Sequence, residues 1–426
     1  MVEPQRVIVT GASGFLGQRV VELLRHRYSV IALDLRTRGE VTVSGLNNVA
    51  WHTVDVADEQ AVAATFAQIE REGGATALIH LAAWYDFTGQ PHVEYTRTNI
   101  NGTRLLLEQS AKLGLKRFIF ASSVAACSFF KPGHPITEQS PPDADHHYAQ
   151  SKRAGEELMQ EYASKVPTAI VRLAALFSDW CEYPPLYVFL ETWLSKGWNR
   201  NILGGKGRTS VPYLHVRDAA DCLLAVLEKE DLKPAETFLA SPDGAVSHRQ
   251  LFEAVTTYAQ RDKRSPILIP KWLAIPGMWG RDLAGRLVGK RPFEQPWMAR
   301  YLDTELVVDG LHTRTRLGWE PRTRLGILHR VPFLVENMRA NASEWFVRNR
   351  EAMEHLAVRE HYQIYRLLEK HQDEIEAAYL RFLNGESGVK LARYVDMEED
   401  ERRWSSRVVL RNLVHAVRSG ERSSFM

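Results

Sequence analysis

The sequence has little of what marks several large protein classes. It holds three cysteines in 426 residues, Cys127, Cys181 and Cys222. That is too few for a disulfide framework, and none has metal-ligand spacing to another. They read as buried or idle thiols, and no metal site is expected. No apolar run approaches the ~20 residues of a membrane-spanning helix. The first residues carry a strand pattern, Arg6 to Thr10, not a charged stretch followed by an apolar one. No signal peptide is expected, and a cytoplasmic location is the default. The net charge is only +2, so a nucleic-acid partner is not expected. There is no internal repeat and no low-complexity tract. What remains is the composition of a soluble globular protein, 45% hydrophobic and 25% charged. The length suits one large domain with appendages.

Short β-branched runs alternate with longer helical stretches over the first part of the chain. Strands are expected at Arg6 to Thr10, Ser29 to Leu33, Val49 to Val54, Ala77 to Leu81, Arg117 to Ala121 and Thr168 to Leu173. Helices are expected at Gly14 to Arg27, Asp58 to Ile69, Thr96 to Leu113 and His147 to Ala163. This alternation predicts an α/β fold, a Rossmann-like doubly wound parallel sheet with helices on both faces. Ligands of such sheets bind beyond the carboxyl ends of the strands.

The texture changes after Ala174. Trp180, Tyr183, Tyr187, Phe189, Trp193 and Trp198 crowd together, and Ser265 to Pro296 is rich in Pro, Trp and Gly. The region reads as a smaller lobe enclosing substrate, or as a packing layer around the sheet, and the two are compatible. From about Val331 the chain becomes helical and charged. Ile364, Leu367, Leu368, Ile375, Tyr379 and Leu383 form an apolar stripe that must be covered. Trp404, Val408, Leu410 and Val414 interleave with Arg403, Arg407, Arg411 and Arg418. Packing on the chain's own core, contact with a second subunit, and peripheral attachment to anionic lipid are the three readings of this tail, the first preferred. The expected divisions are a dinucleotide-binding domain at 1–175, with sheet contributions from about 210–240, a substrate-binding lobe at 176–330, and a helical C-terminal extension at 331–426.

Thr10, Gly11, Ala12, Ser13, Gly14, Phe15, Leu16 and Gly17 follow the first strand and open the first helix. Glycines there allow a tight turn and let the backbone approach a pyrophosphate, while the helix N-terminus offers free N–H groups. A glycine triplet in this context is a strong signal of dinucleotide binding. Asp34 ends the second strand, where a carboxylate binds ribose hydroxyls and repels the extra phosphate of NADP. NAD is therefore expected as cofactor. Arg36 and Arg38 lie close enough to soften that rule in favour of NADP.

Tyr148 and Lys152 form a Y-x-x-x-K pair on an expected helix, which places both side chains on one face. An ammonium beside a phenol favours the phenolate, and the tyrosine can then exchange a proton with a substrate hydroxyl. Any helix can carry this spacing by chance; here it follows a strand that ends in Ser122 and Ser123.

With these pieces in order, the sequence resembles the extended short-chain dehydrogenase/reductases, the NAD-dependent epimerase/dehydratase group, from about Val7 to Leu328. Thr10 to Gly17 is similar to that family's T-G-x-x-G-x-x-G, and Asp55-Val56 to its adenine-contacting pair. Ile79, His80, Leu81, Ala82 and Ala83 match the strand end that lines the cofactor. Asn99 to Thr103 match N-x-x-G-T, and Phe120 to Ser123 the strand carrying the catalytic serine. Tyr213 to Asp218 and Arg316 to Pro321 match two later segments. The resemblance implies that Ser123 hydrogen-bonds the reacting oxygen, with Ser122 as the alternative serine. It implies Tyr148 as acid and base, and Lys152 as the residue that tunes Tyr148 and holds the nicotinamide ribose. Gly11, Ser13, Gly14, Phe15, Leu16, Gly17, Asp34, Arg36, Asp55, Val56, Leu81, Ala82, Ala83, Asn99, Tyr148 and Lys152 would contact the cofactor.

Departures from the family pattern narrow the chemistry. Val124 and Ala125 stand where the 4,6-dehydratases carry an Asp-Glu pair, which leaves no evident groups to expel water. Leu173, Ala174 and Ala175 follow Arg172 where hexose epimerases have an Asn. The stretch from Pro270 to Pro296 is similar to the 3β-hydroxysteroid dehydrogenase and dihydroflavonol reductase branches. The expectation is an NAD(P)-dependent enzyme that interconverts a secondary alcohol and a ketone on a small apolar or lipid-like substrate. The alternatives are a sugar-nucleotide epimerase and a non-catalytic dinucleotide sensor or assembly protein. Oligomeric state is left open, with a homo-oligomer among the readings.

Overall fold

The structure is a computed structural model that describes residues 5–36, 49–86, 89–128, 134–261, 264–288 and 296–349, and the single positions 377 and 381. Arg38 and the tail stripes at 364–383 and 402–418 lie outside the described residues. The chain divides into two compact units. One comprises 1–282 and 293–355, the other 283–292 and 356–426.

The frame of the first unit is a seven-stranded sheet. The strands are β1 (Arg6–Thr10), β2 (Ser29–Asp34), β3 (Val49–Thr53), β4 (Ala77–His80), β5 (Arg117–Ser123), β6 (Thr168–Leu173) and, after four short strands, β11 (Glu236–Ala240). The four are β7 (Ala175–Phe177), β8 (Ile202–Gly204), β9 (Ser210–Val211) and β10 (Tyr213–His215). The spatial order is β11-β6-β5-β4-β1-β2-β3. Every pairing in the sheet is parallel. The order reverses at β1 and β4, which is the switch point where such sheets bind ligands.

The strands are apolar throughout because both faces are covered. Successive residues point to opposite faces, and the core divides accordingly. Val7, Val9, Val30, Ala32, Ile119 and Val171 lie in one cluster, together with α1 (Phe15–Leu24) and α6 (Val216–Glu228). Ile8, Ile31, Leu33, Leu78, Phe118 and Ile170 lie in the other. The second cluster includes buried faces of α2 (Glu59–Arg71), α3 (Thr103–Lys112) and α4 (His147–Tyr162). The expected helix from Thr96 to Leu113 is in fact two pieces, a π-helical turn over Tyr95–Gly102 and then α3. At its end, Gly102 lies close on Val56, where a Cβ would come within 3.2 Å.

The lobe has its own core. It gathers α5 (Pro184–Trp193), α7 (His248–Gln260), α10 (Ile327–Ala340) and α11 (Ala342–Arg348). Between them come β12 (Val246–Ser247), β13 (Ile267–Ile269), α8 (Lys271–Val288) and α9 (Leu311–Leu317). Most of the aromatic run is packing. Tyr187 and Trp193 are buried, while Trp180, Tyr183 and Phe189 flank the cluster. Trp198 is the exception, at 85% exposure.

The expected boundary at 331 falls inside α10. Val331, Leu334, Val335 and Trp345 are core residues of the lobe. Arg330 holds Asp179 with two hydrogen bonds of 2.6 Å, and Asn349 binds Glu182 N and Trp180 O, each at 2.8 Å. These contacts clamp a turn in which Cys181 and Glu182 have φ of 75° and 55°. All three cysteines are buried, and burial pushes the Cys127 thiol up to about 11.

Candidate active site

The glycine turn lies at the carboxyl end of β1, between strand and α1. Gly11 has φ +64°, and a Cβ there would sit 2.8 Å from Ala82 N, on the loop after β4. At Gly17 a Cβ would overlap Gly11 O, at 2.0 Å. The two glycines thus let two strand ends and a helix meet at backbone distance. Gly14 caps α1 without a side-chain hydrogen bond, and no acidic residue occupies the first turn. Phe15, Leu16 and Gly17 therefore open the helix with its dipole and N–H groups uncontested, which is what a pyrophosphate requires.

Asp34 stands beside this turn, 7% exposed. Its carboxylate accepts from Ser13 N and Ser13 Oγ, both at 2.7 Å, and from Arg36 N at 2.9 Å. Asp55 accepts from Ala57 N at 2.9 Å and is paired with Arg97. Val56 is buried beside it. Leu81, Ala82 and the exposed Ala83 continue from β4. Thr10 Oγ1 accepts from Leu81 N and Ala82 N, each at 3.2 Å. These are the positions a dinucleotide needs along one strand edge: a phosphate turn, a carboxylate at the next strand end and a lining loop. The residues fit the group.

Asn99 lies in the π-helical turn and is 3% exposed. Its side chain accepts from Trp84 N at 2.6 Å and donates to Trp84 O at 2.9 Å and Ser151 Oγ at 3.0 Å. It thereby ties the loop after β4 to α4, as π-turns near functional sites often do.

The face of α4 toward the sheet carries Tyr148, Ser151, Lys152 and Glu156 at helical spacing. At Gly155 a Cβ would meet the Phe120 ring at 2.3 Å, so glycine allows the helix to lie close on β5. Ser123 ends β5 beside Tyr148. Its Oγ accepts from Ala125 N at 3.1 Å. Tyr85 packs edge-on against Tyr148, with centroids 4.7 Å apart. Lys152 Nζ donates to Ala121 O at 2.8 Å and lies 5.0 Å from the Phe120 ring centre and 5.7 Å from that of Tyr148.

The expected lowering of the Tyr148 pKa by Lys152 is absent in the chain by itself. Burial pushes the phenol above its ordinary range, opposed by the neighbouring Ser123 hydroxyl. The lysine meanwhile directs a proton to a backbone carbonyl. Burial lowers Lys152 itself to about 8, against the pull of Glu156.

The two serines have different surroundings. Ser122 is 2% exposed and donates to Glu156 Oε1 at 2.6 Å. Glu156 is in turn held by Arg172, through Nε at 2.9 Å and Nη2 at 2.7 Å, and Arg172 Nη1 reaches Ser140 O at 2.6 Å. Only Ser123 of the pair adjoins Tyr148. Sequence reasoning missed Glu156 and the Trp84–Asn99–Ser151 tie. Glu156 had one available signal, its place four residues beyond Lys152 on the same helix face. Asp218, from the later matched segment, is structural: it accepts from Arg322 N at 3.1 Å and Arg322 Nε at 2.6 Å.

Comparison with known proteins agrees with this arrangement. Residues 7–240, more than half of the chain, match the NAD dependent epimerase/dehydratase family. An N-acetyl-alpha-D-glucosaminyl-diphospho-ditrans,octacis-undecaprenol 4-epimerase of Escherichia coli O157:H7 is 32% identical over 180 residues, 41% of this chain and 49% of that protein. A UDP-glucose 4-epimerase of Bacillus subtilis is 29% identical over 190 residues, 42% of this chain and 54% of that protein. The chain thus spans about half the length of these curated relatives. Among solved structures, a UDP-glucose 4-epimerase with UDP-glucose from Thermotoga maritima shares the fold. Its TM-score is 0.61 at 23% identity, over 80% of this chain and 100% of that one. A dTDP-glucose 4,6-dehydratase from Bacillus anthracis in complex with NAD gives 0.59 at 17% identity, over 80% and 98%. The chain belongs to the NAD-dependent epimerase/dehydratase family of enzymes, with NAD as its cofactor.

Proposed function

We propose that the protein oxidises a secondary alcohol to a ketone, or runs the reverse, on a small molecule with an apolar or lipid-like part. One observation carries the reading: Tyr148 stands beside Ser123 and on the same helix face as Lys152, whose Nζ lies 5.7 Å from its ring centre, next to a fitted dinucleotide cradle. NAD, when bound, supplies the hydride acceptor. Gly11, Ser13, Gly14, Phe15, Leu16 and Gly17 would hold its pyrophosphate, and Asp34 and Arg36 the adenosine ribose. Asp55 and Val56 would meet the adenine. Leu81, Ala82, Ala83 and Asn99 would line the remainder, with Tyr148 and Lys152 at the second ribose.

Ser123 donates a hydrogen bond to the substrate oxygen and orients it. Tyr148 takes the hydroxyl proton as the alcohol becomes a ketone, and returns it in the reverse direction. The positive charge of Lys152 favours the phenolate form of Tyr148, which takes this proton and is left behind when the reaction runs in reverse. Tyr85, packed on Tyr148, gives the pocket an aromatic wall suited to an apolar ring or chain. The lobe at 176–330, extended through α10 and α11, would enclose the rest of the substrate.

A second reading, a sugar-nucleotide or lipid-linked sugar 4-epimerase, is supported by the Escherichia coli relative. Val124 and Ala125 speak against a dehydratase. The purified protein incubated with candidate alcohols separates the two. Reduced cofactor accumulating in step with ketone supports the dehydrogenase. An epimeric product with no accumulation supports the epimerase. Neither product from any alcohol, with NAD tightly bound, would favour the sensor alternative and overturn both.

A further inference from the structure

Large apolar side chains face outward on one helix of the lobe. In α8, Trp272 is 75% exposed, Leu273 51% and Trp279 58%. Trp272, Pro276 and Trp279 stand at i, i+4 and i+7, which is one stripe of a helix. The opposite side carries Ala274, Ile275 and Met278, partly buried, and the buried Asp282. Ala274 Cβ lies 3.8 Å from where a Cβ on Gly204 of β8 would be. The helix therefore has two apolar faces, one packed on the lobe and one presented outward. Ile267, in the strand just before it, is 61% exposed. By contrast Trp193 and Trp345 of the same lobe are buried, and among the described residues Trp198 is the other strongly exposed tryptophan. An exposed apolar patch of this kind marks a contact surface.

Charge identifies the partner. Residues 261–292 hold eight Lys or Arg against two Asp, an excess of six positive charges. The whole chain nets only +2, so the rest of the chain taken together is negative and this segment is markedly more basic than the average. A helix with a tryptophan stripe in a basic segment suits the plane of an anionic bilayer, with indoles at headgroup level. Among the described residues no helix is long and apolar enough to cross a membrane, so α8 would lie on the surface.

We infer that α8 docks the protein on an anionic lipid surface, inserting Trp272, Leu273 and Trp279. Residues later in the chain than α8 lie beside the candidate site. Trp297 Nε1 lies 3.0 Å from the Cβ position of Gly89, in the loop that follows Tyr85. Arg300 pairs with Asp145 at 2.9 Å, just before α4. Delivery of a lipid-like substrate from the bilayer to the site would be the role of such docking. That delivery role rests on the functional reading above; the docking itself does not.

The test is co-sedimentation of the full chain with vesicles of phosphatidylglycerol and phosphatidylcholine, beside phosphatidylcholine alone. The protein should bind the anionic vesicles, less so as salt rises. The double variant Trp272→Ser/Trp279→Ser should lose binding at least about tenfold, with Tm and NAD affinity unchanged. Absence of wild-type binding, or equal binding by the variant, would overturn the proposal. So would a dimer seen by light scattering that the variant dissociates, without vesicle binding, since the stripe would then face a second copy. Vesicle binding with no NAD binding would leave the docking face standing and remove the functional reading.

Discussion

Thr10 Oγ1 lies 2.7 Å from His80 Nδ1, and the direction of that hydrogen bond is dictated by the rest of its network. Thr103 donates to Asn99 O at 2.7 Å, so at 2.9 Å it must accept from His80 Nε2. Nδ1 is then bare and accepts the Thr10 proton. That leaves the lone pairs of Thr10 for Leu81 N and Ala82 N. A neutral histidine thus joins the phosphate turn to the turn that carries Asn99. Burial holds its pKa down at about 3.

This depression has a definite sign in stability. In the unfolded chain the imidazole takes up a proton near 6.5, whereas in the fold it does so only near 3. The stability it contributes is complete above about pH 6.5 and is lost as pH falls toward 3, at up to about 1.4 kcal/mol per pH unit. His248, lowered by burial to about 4, acts in the same direction, so the variant difference is the informative quantity. His80→Asn should cost about 1–3 kcal/mol near neutral pH, and the gap from wild type should narrow as the medium is acidified. Urea unfolding of both proteins across that range checks it; parallel curves would refute the assignment.

Asp34 is already oriented by Ser13 and by Arg36 N. NAD should bind more tightly than NADP, and Asp34→Ala should narrow the preference by about tenfold or more, which is about 1.4 kcal/mol. Titration of both dinucleotides measures it. A wild-type preference for NADP would count against the role of the carboxylate.

The two serines at the end of β5 should separate cleanly. Ser122→Ala removes a partner of the buried Glu156 and should lower stability by about 1–3 kcal/mol with turnover little changed. Ser123→Ala should leave Tm alone and lower kcat by about 10²–10³. Thermal melts and steady-state kinetics on both variants decide, and the reverse pattern would move the role to Ser122.

Much of the sheet and cradle was legible because it is written locally. Val7, Ile8 and Val9 before Gly11 specify a buried strand and a tight turn within a few residues, and β6 runs from Thr168 to Leu173 as expected. Features that depend on distant partners were not legible. Composition showed 265–296 to be rich in Pro, Trp and Gly but showed neither the helix α8 nor the direction in which Trp272 and Trp279 face. The expected boundary at 331 lies within α10, where Arg330 and Val331 answer to Asp179 and the lobe core, far away in sequence. The π-helical turn at Tyr95–Gly102 carries no local signal in its residues and ends where Gly102 packs on the distant Val56. Ser122 differs from its neighbour Ser123 only through Glu156 and Arg172, one on another helix and one on the next strand.

The proton-transfer role of Tyr148 is the central claim, and Tyr148→Phe tests it most directly. The substitution removes one oxygen and leaves the ring against Tyr85 in place. Turnover of the oxidised or epimerised substrate should fall by about 10²–10⁴, while NAD affinity and Tm stay within error of wild type. A variant that turns over at the wild-type rate would contradict the account.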